Sequence, residues 1–312
     1  MKPLLDLPEH PTFDLDKLIK SCLDEDFGDR GDITSLATIP KGVTATGEFI
    51  AKEEGVLAGI AVAERVFTLV DDNIKRIWLA QDGEKVREGQ SIGVIEGNAQ
   101  SVLAAERLAL NFVQRMSGIA TLTSRMKAKL GDSPTKILDT RKTVPGLRVL
   151  DKYAVRLGGG TPHRIGLFDM MMIKDNHIAA AGGIVEALES ADRYLKQKSL
   201  VVPVEIEVET LEQVDTVMSY VKKCPDTHLT RVMLDNMIKY NKRGPPNKHY
   251  DTSLLEKSVQ KIGGILETEA SGNITIDSVE YVGKTGVQFI SSGSLTHSVK
   301  ALDISLKVKT KV

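Results

Sequence analysis

From about residue 134 onward the chain repeats one rhythm: a short apolar run, a polar or glycine-rich turn, then a helix-forming stretch. Strand and helix alternating at this spacing point to a parallel sheet, open or closed into a barrel, with helices packed on it. The strand candidates are Lys136-Ile137-Leu138, Met170 to Ile173, Val202 to Val208, Arg231 to Leu234, Gly264 to Glu267 and Val287 to Ile290. Segment 240–251, polar and carrying paired prolines, reads as an exposed loop. The first hundred residues have another texture. Residues 14–24 set apolar side chains at helical intervals behind acidic ones, which predicts a short amphipathic helix. Between 43 and 100, β-prone runs separated by turns at Glu54-Gly55, Asp82-Gly83 and Glu88-Gly89 predict a small, mostly antiparallel sheet packed by helices. Residues 101–130 contain no proline and many helix formers, so one long helix, or two broken near Gly118, joins the halves. A chain of 312 residues is long for one domain and suits two sharing a core.

Reactive side chains fall directly after the strands. Lys136-Ile137-Leu138 is followed by Asp139-Thr140-Arg141-Lys142-Thr143, and Met170 to Ile173 by Lys174-Asp175-Asn176-His177. Leu234 is followed by Asp235-Asn236, Leu266 by Glu267 to Asn273, and Ile290 by Ser291-Ser292-Gly293-Ser294-Leu295-Thr296-His297. Any one of these could be a helix cap or a satisfied turn. Five together are better explained by a barrel, whose strand carboxyl ends share the face on which barrel enzymes build their sites.

Val204-Glu205-Ile206-Glu207-Val208-Glu209 alternates with period two, so its glutamates share one face and its aliphatics the other. In a barrel strand the aliphatics meet the helices, which turns the glutamates inward, where they need cationic partners. Arg141, Lys142, Lys174 and a divalent metal are available. Oxygen donors without a Cys/His pattern suit Mg²⁺, whose shell is completed by water and substrate phosphate. Arg141, Lys142, His163, Arg164 and Lys174, with Arg148 near them, form a local basic cluster, and arginine's planar fork matches carboxylate and phosphate. Ser271-Gly272 and Ser292-Gly293-Ser294 offer small residues whose backbone N–H groups suit a phosphate at the last two strands. Gly158-Gly159-Gly160 fits neither a dinucleotide fingerprint nor a P-loop.

Composition narrows the function. Lys+Arg total 41 against Asp+Glu 42, a formal net charge of −1, so no global field draws the chain to nucleic acid or to a membrane surface. No run approaches the length of a membrane span. Cys22 and Cys224 belong to no metal spacing and argue for a reducing compartment. The N-terminal residues match neither a secretory signal nor a transit peptide, so a soluble, cytoplasmic location is expected. An import segment removed upstream would leave no trace here.

Asp139 to Arg148, Gly158-Gly159-Gly160 with His163-Arg164, Lys174 to His177, Glu205 to Glu209, Leu234-Asp235-Asn236, Ala270-Ser271-Gly272 and Leu295 to Ser298 together resemble the quinolinate phosphoribosyltransferase family, with the motifs in order from about residue 20 to 308. The resemblance implies an α/β fold: an N-terminal α/β sandwich domain plus an incomplete, seven-stranded α/β barrel, one strand more than the six counted above. The expected domains are 1–115, joined by the tail at about 300–312, and 116–299. It implies phosphoribosyl transfer from phosphoribosyl pyrophosphate to quinolinate with decarboxylation, Mg²⁺ as cofactor, and a homodimer or larger assembly whose subunits share sites.

Carried over by position, Thr140, Arg141, His163, Arg164 and Lys174 would bind quinolinate, with Arg107 arriving from the partner subunit. Lys142 and His297 would meet pyrophosphate. Glu207 and Asp235 would hold ribose hydroxyls and, partly through water or substrate, the metal. Ser271, Gly272, Asn273, Ser292, Gly293 and Ser294 would cradle the 5′-phosphate. Lys142, Lys174, Glu207 and Asp235 are the catalytic candidates. Two positions depart from the family's pattern: Pro162 stands where Asn is frequent, and Asn273 where a second Gly is frequent. A Schiff-base aldolase acting on a sugar phosphate through Lys174 is the alternative barrel chemistry, and it requires Lys174 in a dry pocket. A non-catalytic binding protein on a barrel scaffold would capture ligand without releasing pyrophosphate.

Overall fold

The computed structural model describes residues 6–241 and 249–311. They divide into two compact units, one of residues up to 124 with 143–160 and 295 onward, the other of 125–142 and 161–294. The chain opens with α1 (Leu15–Phe27), α2 (Ile33–Thr38), β1 (Thr44–Ala51), β2 (Gly55–Val56) and α3 (Ile60–Val70). It continues through β3 (Lys75–Trp78), β4 (Lys85–Val86), β5 (Ser91–Asn98), α4 (Ala99–Lys129), β6 (Lys136–Leu138) and α5 (Arg148–Leu157). Then come β7 (Met171–Ile173), α6 (Asp175–Ala181), α7 (Ile184–Lys198), β8 (Val204–Val208), α8 (Leu211–Lys223) and β9 (Leu229–Asp235). A hairpin of β10 (Lys239–Tyr240) and β11 (Tyr250–Asp251) precedes α9 (Ser253–Ile262), β12 (Glu267–Ser271) and α10 (Val279–Gly283). The chain closes with β13 (Phe289–Ser291), α11 (Ser294–His297) and β14 (Ile304–Lys311).

In the first unit, β14, β1, β5 and β3 form an antiparallel sheet in that order. Every second residue of β1 from Ala45 to Ala51 is buried, as the two-residue period of a half-covered strand requires. Phe49 meets Phe67 of α3 edge-on at 6.0 Å and Trp78 at 5.4 Å, and burying rings of this size contributes about 2 kcal/mol each. The Trp78 indole N–H donates to Glu64 at 2.7 Å, so its one polar atom is satisfied. Asp14 caps α1 by accepting from Lys17 N, which explains the start of the amphipathic helix expected there.

α4 is a single 31-residue helix with no break at Gly118. Glycine is needed there for close approach: a Cβ would stand 2.3 Å from Lys300 O. α5 lies inside the segment expected to be barrel, 116–299, yet it belongs to the first unit. An ion pair joins α5 to α4: Arg115 of α4 donates from Nε (3.0 Å) and Nη2 (2.7 Å) to the Asp151 carboxylate, which is fully buried. Arg115 also donates to Thr296 O at 3.0 Å, and Asp151 accepts from Val144 N, so one pair secures two turns.

The second unit holds six parallel strands in the order β6, β13, β12, β9, β8, β7. The seventh position is a single parallel bridge, Leu138 to Thr161, on the outer side of β6. In a flat sheet β8 would lie about 24 Å from Thr161, five strand spacings away. His163, two residues after the bridge, instead approaches Glu205 of β8 to 3.1 Å, so the sheet curls round on itself as a barrel. The two sheet edges share no ladder among the described residues; Arg164 Nη1 donates to Met170 O at 3.2 Å beside that seam.

Strand limits differ from expectation at five of the six candidates, β6 alone agreeing, and two of the differences have a local cause. β8 begins at Val204 because Pro203 has no N–H for a ladder, although its carbonyl accepts from Met171 N. Gly264 to Leu266 precede β12 instead of opening it, since Gly263 (φ 59°) and Gly264 (φ 76°) turn the chain out of α9. The ends of the expected loop 240–251 pair as β10 and β11, and 242–248 lie outside the described residues. Arg115→Ala is expected to cost about 3 kcal/mol by stranding the buried Asp151 carboxylate, seen as a lowered midpoint in denaturant unfolding; an unchanged midpoint would contradict the role given to this pair.

Candidate active site

Register places the site. Glu205 pairs with Arg231, and Arg231 with Glu267; Glu207 pairs with Met233, Met233 with Glu269, and Glu269 with Phe289; Asp235 pairs with Ser271. Partners in register point to the same face, and their alternates Ile206, Val208, Val232, Leu234, Ala270 and Ile290 are buried. The acidic alternation of β8 thus faces the barrel interior, as its sequence predicts.

At the strand carboxyl ends the Lys174 ammonium pairs with Glu207, while Asp235 accepts from Asn236 Nδ2 at 2.6 Å and Glu209 is exposed. Lys174 is 41% exposed in that ion pair, unlike the dry lysine a Schiff-base mechanism needs. The His177 ring accepts from Lys174 N at 3.0 Å, which fixes the start of α6. Thr140 Oγ1 accepts from Lys142 N at 3.0 Å, shaping the turn after β6. Lys142 is exposed. Arg141 Nε is buried with no hydrogen-bond partner. Burial lowers the Arg164 pKa, and the neighbouring Arg141 guanidinium lowers it further. Two guanidiniums that repel each other, one with a buried unsatisfied N–H, form a site built for an anion.

The glycine-rich turns lie beside these groups in register. Ser271 O accepts from Asn236 N at 3.1 Å, and Gly272 has φ 92° with no room for a Cβ, which would stand 2.4 Å from Asn236 Oδ1. Asn273 adopts φ 52°, the left-handed conformation that asparagine accepts more readily than most residues. Ser292 Oγ donates to Ile274 O at 2.6 Å and lies 2.7 Å from Ser294 Oγ, tying the turn after β13, with Gly293 between them, to the turn after β12. Arg107, Arg148 and His297 belong to the first unit. Arg107 is exposed on α4, Arg148 Nε donates to Thr143 Oγ1 at 3.3 Å, and His297 Nδ1 lies 2.6 Å from Ser298 Oγ.

The His163 ring is buried against two interior carboxylates. Its side chain is 4% exposed and Nε2 lies 3.1 Å from an oxygen of Glu205 and 3.1 Å from one of Glu269. Hydrogen-bond geometry is met at Glu269 but not at Glu205, whose two oxygens are buried without a formed bond. Nδ1 accepts from Arg164 N at 2.7 Å. Burial would lower the His163 pKa, but the two carboxylates outweigh it and push it up to about 9. The contact geometry opposes that pull: a second ring proton would have to sit on Nδ1 against the Arg164 N–H, which leaves the ring neutral with its proton on Nε2, facing the carboxylates.

Burial and the adjacent Glu269 charge push Glu205 up to about 7. Burial works in the same direction on Glu269, yet His163 and Arg231 hold it below its ordinary value. Arg231 was no candidate from sequence. It donates to Glu269 at 3.1 Å and to Glu267 at 3.0 and 3.1 Å, and its guanidinium stacks 4.0 Å from the Phe289 ring centroid. Applying the period of two to β9 and β12 as well as β8 would have found Arg231, Glu267 and Glu269.

A parallel α/β barrel with guanidiniums, an ammonium–carboxylate pair and glycine turns at its strand ends is the class of enzyme that handles phosphorylated and carboxylated substrates. The sequence profile of the quinolinate phosphoribosyl transferase N-terminal domain matches residues 32–117, and that of the C-terminal domain matches 119–307. The chain belongs to the quinolinate phosphoribosyltransferase family. It is 53% identical over 305 residues to the chloroplastic nicotinate-nucleotide pyrophosphorylase (carboxylating) of Arabidopsis thaliana, covering 98% of this chain and 86% of that one. It is 52% identical to the mitochondrial quinolinate phosphoribosyltransferase (decarboxylating) 2b of Nicotiana tabacum, covering 98% and 85%. The crystal structure of NadC from Streptococcus pyogenes superposes with a TM-score of 0.83 at 37% identity, covering 96% of this chain and 98% of that one. Gly272→Ala is expected to lower stability by about 2 kcal/mol through left-handed strain and overlap with Asn236, read as a lower thermal midpoint; a midpoint equal to wild type would show that this turn yields freely.

Proposed function

We propose that the strand ends of the second unit carry out phosphoribosyl transfer to quinolinate. The enzyme is a nicotinate-nucleotide pyrophosphorylase (carboxylating): it takes phosphoribosyl pyrophosphate and quinolinate to nicotinate mononucleotide, pyrophosphate and CO₂. The observation that supports the site is the buried Arg141 Nε–H with no hydrogen-bond partner, with a second guanidinium, Arg164, close enough for the two charges to repel, a combination that suits an anion such as a carboxylate. Arg141, Arg164, Lys174 and Thr140 form the quinolinate end, with His163 in its wall. Ser271, Gly272, Asn273, Ser292, Gly293 and Ser294 hold the 5′-phosphate, and Lys142 contacts pyrophosphate.

Glu207 and Asp235 are hard oxygen donors two residues apart on neighbouring strands, a set that fits Mg²⁺ sharing its shell with water and phosphate. When bound, Mg²⁺ neutralises the charge of the departing pyrophosphate. As the bond from ribose C1 to pyrophosphate breaks, positive charge builds on the sugar; Glu207 stabilises that charge, and Lys142 the pyrophosphate. The quinolinate nitrogen then bonds to C1, and the resulting ring cation stabilises the carbanion left when the adjacent carboxylate departs as CO₂ and a proton takes its place. Arg141 and Arg164 hold the remaining carboxylate and keep the ring in line. The Lys174–Glu207 ion pair disfavours the aldolase alternative.

No described helix is long and apolar enough to cross a membrane. Cys22 and Cys224 are free thiols, which supports a reducing intracellular compartment. The exposed Arg107 completes the quinolinate end of a second copy in a homodimer.

Incubation with quinolinate, phosphoribosyl pyrophosphate and Mg²⁺ should yield nicotinate mononucleotide and CO₂, should stop on chelation with EDTA, and should discriminate against nicotinate, which leaves buried cations unpaired. Arg141→Ala should reduce kcat/KM for quinolinate by about 10²-fold or more while phosphoribosyl pyrophosphate still binds; full activity in that variant would remove the carboxylate clamp. Mixing Arg107→Ala with Lys174→Ala should restore activity in heterodimers, and verified heterodimers that stay inactive would refute sharing.

A further inference from the structure

The buried charges inside the barrel have no part in the reaction as described. His163, Glu205, Glu269 and Arg231 meet inside the barrel, and ligating atoms of the first three lie close enough together to hold a metal ion. The ring argues against one, because Nδ1 already accepts from Arg164 N, which leaves the ring proton on Nε2 where a metal would need a lone pair.

The same contacts define another role. The His163 backbone N–H donates to Asp139 Oδ1 at 2.8 Å, at the end of β6. Its Nε2 reaches Glu269 of β12 at 3.1 Å, and Arg231 secures Glu269 from β9 at 3.1 Å. Through Nδ1 the ring then holds the backbone N–H of Arg164. The Arg164 side chain leaves this anchored backbone with Nη1 on Met170 O and Nη2 3.5 Å from Met172 S. The dipeptide is thus fixed from three strands, while its arginine lies beside Arg141.

We propose that His163 is a positioning residue: with Asp139 and Glu269 it fixes the backbone of Arg164 and so aims that guanidinium at a substrate carboxylate. Glu269 acts through His163, and Arg231 acts through Glu269. This rests on Arg164 being a quinolinate ligand. Wild-type turnover, with loss of quinolinate saturation in Arg164→Ala, establishes that reading first and separately.

The test is a double-mutant cycle between Glu269 and His163 in the full chain. Glu269→Leu and His163→Phe should each raise KM for quinolinate about tenfold, with KM for phosphoribosyl pyrophosphate within about twofold of wild type. The double variant should lose no more than His163→Phe alone, because residues acting in series do not add. Glu269→Gln keeps an acceptor oxygen and should recover most of the loss. Multiplying losses, an unchanged quinolinate KM in Glu269→Leu, or a Glu269→Gln as impaired as Glu269→Leu would each overturn the proposal.

Should the Leu or Phe variants fail to fold, the wild-type protein labelled with ¹⁵N-histidine decides the matter. The His163 ring should show Nε2 protonated and Nδ1 unprotonated, and saturating quinolinate should leave both resonances in place. A ring that changes protonation or shifts on binding quinolinate would make His163 a direct ligand and refute the positioning role.

Discussion

Carboxylates inside a barrel must be given hydrogen-bond donors or cations, and the second unit is organised around that requirement. Glu205 and Glu269 are fully buried, and each would be untenable as an isolated charge. The His163 ring N–H lies 3.1 Å from an oxygen of each, Arg231 pairs with Glu269, and Glu207 finds Lys174. Because the partners come from β7, β8, β9, β12 and the segment after Thr161, satisfying the charges also fixes which strands face one another across the interior. Satisfying the buried carboxylates and closing the barrel are one condition.

The arrangement grades from a dry interior to a wet rim. Arg231, stacked on Phe289 and ringed by Glu267 and Glu269, has its cationic capacity spent within the protein. Arg141 keeps a buried N–H unspent, and Lys174 is partly exposed. A ligand entering at the strand ends therefore meets cations that can still gain by pairing. Near-zero net charge is compatible with strong anion binding on these terms, since the compensating glutamates lie in the same interior.

What the residues reveal without coordinates depends on whether the cause is local. The inward glutamates of β8 are legible because Val204 to Glu209 alternates strictly. The motifs at Asp139 to Lys142, Lys174 and Ser271-Gly272 are legible because reactive groups following a β-run is a pattern in the chain itself. The long helix through Gly118 was legible only in part: glycine signals a break in isolation, and its reason, the backbone at Lys300, is distant in sequence. The inward ring of His163 was hidden for the same reason. The His-Arg pair reads as two cationic ligands, and nothing within several residues discloses Glu269. The tie of α5 to α4 depends likewise on Arg115 meeting Asp151.

The sheet of the first unit bears on how the chain comes off the ribosome. β1 spans Thr44 to Ala51, yet its neighbour β14 pairs Ile304 with Ala51 and Lys311 with Thr44. An eight-residue edge of β1 thus stays unpaired until every barrel strand has been synthesised, since β14 follows them all and α5 follows β6. The first unit to be translated is the last to be finished. During synthesis the nascent chain presents an open strand edge, a template on which another chain can pair until β14 covers it.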